Sequence, residues 1–502
     1  MAEQKEEKKR EISEALKAEE TLTSKWYVLD TEGKLHELSV TDGKVTGYDF
    51  KKHPNLQKFA QYEMAKNRVY EKEPPHIELM RKLEMVDFEK GSDSGNLRFY
   101  PNGRFVKKML ERYVSDEVVK YGAMEIESPI MYDCEHPALK SYLHRFPARQ
   151  YIVESLKKKY FLRFAACFGQ FLMAHDMSIS HKNLPVRLYE LTRYSFRLEQ
   201  SGELCGLKRL RAFTMPDCHA FVKDFEQGKE EMLRRFDLAW SIIQGIGLKL
   251  PDDMELGIRF VREFYEEHKD LAMALVKRFN KPVILEMWEK RFFYFAMKYE
   301  FNFIDAMGKA TGMVTDQFDV ENAERYDINF IDEDGKKKHP IILHLSPSGA
   351  IERDMYALLE KAWMEEQKDK AAMLPVWLSP EQIRIMPVAD RHMEHAEKIA
   401  KELEAANIRV GVDDRSIGVG KKVFQAKMAW VPYIIVIGDK EAAATKLPVV
   451  IRAKSKPKED TQEEMSVKDI INEISGLTHG KPTGLLPVAK YVSKRPIFVA
   501  RQ

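Results

Sequence analysis

A chain of 502 residues, 44% hydrophobic and 32% charged, is long enough for several hydrophobic cores, so we expect two or three domains. The formal net charge of only +2 excludes a global basic field, so a nucleic-acid partner has to be met by local patches. The 4 cysteines do not suggest a disulfide framework, and neither a secretory signal nor a membrane-spanning stretch is recognisable. We therefore expect a cytoplasmic protein.

Before residue 96, the sequence predicts a charged N-terminal segment followed by a small hairpin and a helix. Residues 1–22 are rich in lysine and glutamate and predict a helix or a disordered, solvated segment. An alternating pattern with Glu-Gly and Asp-Gly turns predicts a small hairpin over 26–46. A helix is expected over 76–85, and the stretch GSDSGN at 91–96 indicates a domain boundary.

A larger domain follows this boundary. Apolar residues at helical spacing predict a helix over 103–121. A strand that carries Pro129 is expected over 123–131. Another strand, over 160–166, is expected to lead into a helix at 167–177.

The most informative stretch is 193–221, which predicts two strands around a polar loop. Side chains two apart in a strand point to the same side of a sheet. One face of the return strand therefore collects Arg209, Arg211, Phe213, Met215, Asp217 and His219. Pro216 predicts a bulge or a sheet edge. Arginines, an aromatic ring and an acid on one face predict a floor that binds an anionic, aromatic ligand.

The rest of this domain predicts further helices and strands. The predicted helices are 226–245, 261–279 and 286–298, and the predicted strands are 299–304, 313–320 and 326–330. A buried strand, a Ser/Pro/Gly break and an amphipathic helix are expected within 339–363. Strands with inserted helices predict an α+β domain, in which a mostly antiparallel sheet is flanked by helices.

From residue 374 onwards, strands and helices are expected to alternate. The segments IRIMPVAD, IRVGVDD and YIIVIGD predict strands, with helices over 392–406 and 421–430 between them. This order predicts a C-terminal α/β domain with parallel strands. We accordingly expect three regions, with boundaries at 1–95, 96–376 and 377–502.

Three segments of the large domain resemble the signature motifs of class II aminoacyl-tRNA synthetases. They are the long helix with the strand around Pro129, the hairpin with Arg197, Glu199 and Phe213, and the segment ILHLSPSGAIER, which ends at Arg353. The C-terminal unit resembles the anticodon-binding domain of the threonyl, prolyl, histidyl and glycyl subgroup. Within this subgroup, RLEQSGELCGLKRLRAFTMPDCHAF and VPYIIVIGDKE are similar to the threonyl-tRNA synthetase family, in its archaeal form.

The resemblance implies a reaction and a nucleotide site. L-threonine and ATP, with Mg²⁺, would form threonyl-adenylate, and a homodimer would transfer the threonyl group to tRNA(Thr). Arg197 and Arg353 are implied to be catalytic, on the α- and γ-phosphates. Glu199 is implied to bond the adenine amino group and Phe213 to stack on its ring. The residues implied to bind ATP are Arg197, Glu199, Arg209, Phe213, Gln317 and Arg353.

The resemblance also implies a metal site. Cys167, His219 and His344 fall on zinc-ligand positions of the family, although their spacing alone would suggest ordinary core residues. Three protein ligands and an open position are the catalytic type of zinc geometry, with one Zn²⁺ per subunit. The open position is implied to take the amino and hydroxyl groups of threonine. Asp217 is implied to accept a hydrogen bond from the hydroxyl, and Tyr294 to be a further substrate contact.

Such a pocket is expected to reject valine much more strongly than serine. A site that bonds a hydroxyl rejects valine by roughly 10⁴, whereas serine lacks only a methyl, worth about 1–3 kcal/mol. Serine therefore requires a second, hydrolytic site, and we find no hydrolytic constellation before residue 96. The resemblance is to a shortened form without the N-terminal editing domain, so we expect no editing of seryl-tRNA(Thr) in cis and a separate trans-editing protein.

Two C-terminal residues, Glu441 and Arg452, match positions of the family that contact anticodon bases. Met215, Pro216 and Ala350 depart from the family pattern. These departures concern the fine shape of the pocket and leave the implied reaction unchanged.

Two alternatives stay open at this point. One is a synthetase for another amino acid, such as proline; the other is a synthetase-like binding protein that has lost catalysis. Exchange of ATP with pyrophosphate in the presence of threonine, serine, valine or proline separates the three hypotheses.

Overall fold

The computed structural model describes residues 24–65, 72–143 and 150–499. The lysine- and glutamate-rich segment 1–22, predicted to be helical or disordered, lies outside these residues. Within the described ranges, no helix is long and apolar enough to cross a membrane.

Strands and helices follow one another irregularly up to residue 366. The strands are β1 Ser24–Leu29, β2 Leu35–Thr41, β3 Lys44–Thr46, β4 Val86–Phe88, β5 Leu97–Phe99, β6 Met124–Glu125, β7 Met131–Asp133, β8 Tyr151–Ser155, β9 Lys158–Leu162, β10 Val186–Phe196, β11 Ala212–Val222, β12 Met254–Val261, β13 Val283–Trp288, β14 Phe295–Ile304, β15 Ala310–Asp319, β16 Phe330–Ile331, β17 Lys337–Lys338 and β18 Ile341–Ser346. The helices are α1 Pro54–Ala65, α2 Pro75–Lys82, α3 Pro101–Lys120, α4 Pro137–Leu143, α5 Cys167–Asp176, α6 Phe225–Ile246, α7 Arg262–Glu267, α8 Lys269–Phe279, α9 Asn322–Arg325 and α10 Ile351–Glu366.

An 11-stranded sheet is the centre of this region, in the order β3-β2-β1-β13-β12-β14-β15-β18-β11-β10-β6. Its neighbouring strands are antiparallel except for β12 with β13 and β10 with β6. Helices α3, α6 and α10 contribute to the main apolar core beside the sheet. The predicted α+β architecture with a mostly antiparallel sheet is confirmed.

The hairpin predicted at 26–46 is present as β1 and β2, with β3 added. Strand β1 also pairs with β13, from Ser24 opposite Trp288 to Leu29 opposite Val283. The N-terminal segment thus lengthens the central sheet rather than forming a sheet of its own.

The helix predicted over 286–298 is wrong, because this region is the end of β13, a loop and the start of β14. All six residues of β13 are buried, and a strand buried on both faces lacks the alternation by which a strand is recognised. The strand predicted around Pro129 is also interrupted, and only β6 and β7 on either side of it are extended.

Strands β10 and β11 confirm the predicted central hairpin. Of the two features predicted at Pro216, a bulge or a sheet edge, the bulge lies on β10 instead, between Thr192 and Ser195, where Tyr194 has a φ of 62°. Pro216 itself remains paired with Leu191. Because β18 pairs with β11 only from Cys218 to Val222, Pro216 lies at a locally unpaired edge that tolerates its missing N–H.

The C-terminal region confirms the predicted alternation of strands and helices. Its elements are β19 Ile383–Pro387, α11 Met393–Ala405, β20 Val410–Val412, α12 Val419–Met428, β21 Tyr433–Ile437, α13 Asp439–Ala442, β22 Leu447–Ile451, β23 Gln462–Met465 and α14 Val467–Thr478. The sheet order is β20-β19-β21-β22-β23, in which β19 is parallel to β20 and β21 while β22 and β23 are antiparallel additions.

Candidate active site

The candidate site lies on one face of the central sheet, where paired residues form a row across four strands. His219 on β11 is opposite His344 on β18, which is opposite Gln317 on β15. The row continues to Lys298 on β14. Paired residues in neighbouring strands point to the same face, so these four side chains line one surface.

Cys167, at the start of α5, completes a compact cluster with the two histidines. Its Sγ lies 3.3 Å from Nε2 of His219 and 3.7 Å from Nδ1 of His344, and the two nitrogens are 3.2 Å apart. All three residues are buried. Ligands at tetrahedral angles around Zn²⁺ would be about 3.3 Å apart for two nitrogens and about 3.6 Å for sulfur and nitrogen. The three positions therefore fit a zinc ion.

The other nitrogen of each imidazole is held by a side-chain acceptor. His219 Nδ1 is 2.8 Å from Oε1 of Gln170, and His344 Nε2 is 2.7 Å from Oδ2 of Asp319. Such partners fix the ring orientation and leave the remaining nitrogen to bind a metal. Sequence reasoning missed Gln170 and Asp319. A signal existed for Gln170, because it follows Cys167 by three residues and so lies on the same side of α5.

Burial shifts the pKa of two members of the cluster, Cys167 and His219. It raises the pKa of the Cys167 thiol well above its usual range, and the nearby carboxylates of Asp217 and Asp319 add to this effect. Burial also lowers the pKa of His219 well below its usual range. Neutral imidazole is the metal-binding form of histidine, and a buried thiolate requires a cation beside it, so the donor set suits a divalent metal.

Asp217 and Tyr294 lie beside this cluster. Asp217 precedes His219 by two residues on β11, its Oδ2 accepts a hydrogen bond from the Ala166 N–H (3.2 Å), and burial raises its pKa to about 6. Tyr294 donates its hydroxyl to Oε1 of Gln317 (2.5 Å), and its ring centre is 5.3 Å from that of His344. The two predicted threonine contacts therefore lie together, and Gln317 is beside them.

The hairpin arginines form a second part of the site. Arg197 follows β10, is half exposed, and has its Nε 3.2 Å from Oε1 of Glu199. Arg209 has its Nη1 3.2 Å from Oε1 of Glu203. Arg211, by contrast, is buried and donates Nε and Nη2 to the backbone oxygen of Glu199 (2.8 and 2.6 Å). Arg211 therefore holds the loop, whereas Arg197 pairs with the buried Glu199 and Arg209 with the partly exposed Glu203.

Arg353, in the first turn of α10, reaches the same area. Its Nε donates to the Lys208 backbone oxygen (3.1 Å) and its Nη1 to that of Gly312 (2.9 Å). Burial lowers the pKa of Arg353, and the positive charge of Arg209 lowers it further. Two guanidinium groups close enough to repel each other favour an anion between them. Phe213, opposite Ser195 on the hairpin, is partly buried.

The entry into α10 depends on two neighbouring residues. Gly349 has a φ of 78°, and a Cβ on it would be 2.2 Å from the Met313 backbone oxygen, so a side chain cannot be accommodated there. Glu352 is buried, and its carboxylate accepts hydrogen bonds from Lys107 Nζ (2.6 Å) and from the Thr214 backbone N–H (2.9 Å). These contacts fix the start of α10 against α3 and β11, which places Arg353.

The two residues predicted to contact the anticodon lie apart. Glu441 follows β21 and accepts from the Gly438 N–H (2.9 Å), whereas Arg452 follows β22 and donates to the backbone oxygens of Ala372 (2.6 Å) and Lys427 (2.8 Å). Because β21 and β22 are antiparallel, they occupy opposite ends of this strand pair. The structure therefore does not bring them together.

Comparison with known proteins identifies two families in the chain. The family described as tRNA synthetase class II core domain (G, H, P, S and T) matches residues 151–362, and the anticodon binding domain matches residues 382–477. A threonine--tRNA ligase from Methanosarcina mazei is 54% identical over 98% of this chain and 76% of its own length. Another from Pyrococcus furiosus is 53% identical over 98% of this chain and 77% of its own length.

Solved structures show the same fold at lower identity. The structure described as the RNA binding domain of threonyl-tRNA synthetase from Cryptosporidium parvum has a TM-score of 0.68 at 23% identity, covering 82% of this chain and 99% of that one. Prolyl-tRNA synthetase from the same organism has a TM-score of 0.63 at 16% identity, covering 80% of this chain and 75% of that one. At these identities the likeness shows the fold alone.

Proposed function

The chain belongs to the threonyl-tRNA synthetase family, a class II family, and from this premise we propose that a Zn²⁺ held by Cys167, His219 and His344 selects its amino acid. As a threonine--tRNA ligase, the enzyme uses ATP to join threonine to tRNA. The family membership therefore argues against both alternatives, a prolyl enzyme and an inactive binding protein. The cluster of one buried thiol and two oriented imidazoles is the observation that carries the zinc proposal.

The protein side chains around the cluster complete the threonine site. Cys167, His219 and His344 would hold the Zn²⁺, which would supply a Lewis acid with an open position for the amino and hydroxyl groups of threonine. Asp217 accepts the hydrogen bond of the hydroxyl, and Tyr294 closes the site beside His344. The hydroxyl of Tyr294 is held by Gln317, which also lines the nucleotide site. Valine leaves the hydroxyl acceptor unpaired and is rejected by roughly 10⁴, whereas serine loses only the contact of one methyl.

The hairpin and α10 bind ATP together with its Mg²⁺. Arg197 neutralises the α-phosphate as the threonine carboxylate approaches it, and Arg353 holds the γ-phosphate. Arg209 adds positive charge, Glu199 bonds the adenine amino group, and Phe213 stacks on the base. The mutual repulsion of Arg209 and Arg353 supports this assignment, because a polyanion relieves it.

Clearing of seryl-tRNA(Thr) is assigned to a separate protein acting in trans. A methyl group worth about 1–3 kcal/mol cannot exclude serine from the pocket, so seryl-adenylate is formed. Incubation of the pure chain with preformed seryl-tRNA(Thr) tests this step. Deacylation no faster than the spontaneous rate is expected, and rapid deacylation contradicts it.

Recognition of tRNA and dimerisation complete the proposal. The module at 382–477 reads the anticodon, with Glu441 and Arg452 as candidate contacts from its two ends. Two cytoplasmic chains associate through the region around α3 and β6. Support comes from exposed apolar side chains there and from the position of β6 at an edge of the sheet; these side chains are Val119, Met124, Ile130 and Met131.

ATP–pyrophosphate exchange, with metal analysis, tests the central proposal. Threonine is expected to support rapid exchange, serine to be about 10–200-fold weaker and valine to be weaker by roughly 10⁴. Elemental analysis of unchelated enzyme is expected to give one zinc per chain. Equal exchange with valine, or enzyme active without zinc, would overturn zinc-based selection.

A further inference from the structure

A fully buried ion pair lies behind the candidate site. Arg235 on α6 contacts Asp316 on β15 through two bonds, Nε to Oδ2 at 2.9 Å and Nη2 to Oδ1 at 3.1 Å. Both side chains are 0% exposed. Removing two charges from water is costly, and such pairs often add little net stability. The contacts of this pair therefore deserve a functional explanation.

The pair also bonds the main chain of two strands. Arg235 Nη2 donates to the Cys218 backbone oxygen on β11 (2.9 Å), between Asp217 and His219. On β15, Oδ1 of Asp316 accepts from the Gln317 backbone N–H (3.1 Å). Strand β18 lies between β11 and β15, so the pair spans three strands and holds the outer two.

The strand register shows which side chains the Arg235–Asp316 pair can position. Cys218, Leu345 and Asp316 are opposite one another, one step away from the row of His219, His344 and Gln317. Side chains alternate between the faces of a sheet, so Asp316 points away from the face that carries His219 and Gln317. A sliding of β11 against β15 would change the distance from Asp217 on β11 to Gln317 on β15, whose side chain holds the hydroxyl of Tyr294.

We propose that Arg235 and Asp316 are positioning residues that fix β11 and β15 at the spacing required to recognise threonine. This inference rests on the proposed function of the cluster. Arg197, Arg209 and Arg353 lie outside the contacts of this pair. Gln317, which the resemblance also assigns to ATP, is bonded by the pair through its backbone N–H and not through its side chain. The pair therefore acts on threonine binding more than on ATP binding.

The double variant R235M/D316L tests the proposal. It replaces both charges by apolar side chains, an exchange that buried ion pairs often tolerate without loss of folding. A displacement of about 1 Å can cost about 10²-fold in an active site. We expect the KM for threonine to rise about tenfold or more, and the KM for ATP to stay within about twofold. Unchanged threonine KM in the folded double variant would overturn the proposal.

Arg384→Met provides the matched control. Arg384 is also a buried arginine, paired with Glu381 through Nη2 and Oε2 at 2.6 Å, and it lies in the C-terminal sheet. Its loss is expected to lower the melting temperature without changing the threonine KM in tRNA-independent exchange. An equal rise in threonine KM in this control would show that the effect of R235M/D316L is general destabilisation.

Asp316→Asn keeps the test decisive if the double variant does not fold. Asparagine keeps the size of the side chain and weakens its bond to Arg235, so the same rise in threonine KM relative to ATP KM is expected. Wild-type kinetics for both substrates would overturn the proposal. A failure of the proposed function is distinguishable, because it would appear in the wild type as exchange without threonine specificity or as protein without zinc.

Discussion

The two ends of the site are built on different principles. At the metal end, Cys167, His219 and His344 are buried on regular elements and face one another at 3.2–3.7 Å. At the nucleotide end, Arg197 and Arg209 belong to the hairpin loop and pair with neighbouring glutamates. The proposed metal end is thus formed in advance, whereas at the proposed nucleotide end a bound phosphate would have to replace the acids that pair with Arg197 and Arg209.

The difference follows from charge. The thiol of Cys167, whose pKa burial raises, and the imidazole of His219, whose pKa burial lowers, can be buried before the metal binds, because neither carries a charge that requires water. A guanidinium is always charged, so it is kept near water or given an acid as a temporary partner. Arg197 and Arg209 are therefore preorganised less completely than the donors of the cluster, whereas Arg353 is held by two backbone oxygens.

Cys167→Ser should give the largest effect, because it breaks the preformed end. Without the thiolate the zinc ligand set is incomplete, and threonine-dependent exchange is expected to fall by about 10⁴-fold. Cys134→Ser is the matched control, since Cys134 is partly exposed and outside the cluster. Metal analysis and exchange kinetics check both variants. Full zinc content with normal threonine kinetics in Cys167→Ser would contradict the assignment.

Arg353→Gln should break the nucleotide end. The loss of one positive charge from the phosphate site is expected to lower kcat/KM for ATP by about 10³-fold while the threonine KM changes little. Arg262→Gln is the control, because Arg262 forms a partly exposed ion pair with Glu289. Initial rates at varied ATP and threonine measure the separation. A comparable loss for both substrates would mean that the two ends are not independent.

Glu300 lies near Arg353, and its charge should make the free energy of unfolding depend on pH. Burial acts to raise the pKa of Glu300, but Arg259 and Lys298 outweigh it and lower the pKa to about 2 from its ordinary value of 4.5. The carboxylate thus stabilises the fold above about pH 4.5, and this stabilisation, about 3 kcal/mol, is lost as the pH falls towards 2.

Urea unfolding of Glu300→Gln against the wild type measures this contribution. The difference in free energy of unfolding should be largest near pH 6 and should shrink steadily below pH 4.5, because the wild type then becomes protonated. A difference that is the same at pH 6 and pH 3 would show that the charge of Glu300 does not contribute.

Glu203→Gln should give the smallest effect. It removes the acid that pairs with Arg209, and partly exposed ion pairs contribute only about 0–1 kcal/mol. The KM for ATP is therefore expected to fall by no more than about fivefold, since Arg209 no longer has to leave a partner. A large rise in KM would instead identify Glu203 as a nucleotide contact.

Much of the sheet and part of the site followed from residue patterns. Alternation on β11 placed Asp217 and His219 on one face, which the strand pairing confirms. Cys167 and His344 could be joined to them only through family resemblance, because 177 positions separate these two residues and no local pattern links them. Asp319 was missed because no local pattern links it to His344, and Gln170 was missed although its spacing of three residues from Cys167 places both on one side of α5.

The errors in predicted structure also have physical causes. Strand β13 is buried throughout and contains VILEMW, so its pattern lacks the alternation of a half-exposed strand. Pro216 was predicted at a bulge or a sheet edge and lies at an edge, but the bulge on β10 was missed, because a change of register is not visible in a sequence. Both errors concern tertiary surroundings that local sequence does not contain.

Pairing of β1 with β13 has a practical consequence for dissecting the molecule. A truncation that begins at residue 96 would remove the outer three strands and uncover the hydrogen-bonding edge of β13, whose residues are buried in the intact chain. An uncovered, apolar strand edge recruits further chains and aggregates. The first strand is therefore a protective cover for the catalytic sheet, and soluble fragments should retain it.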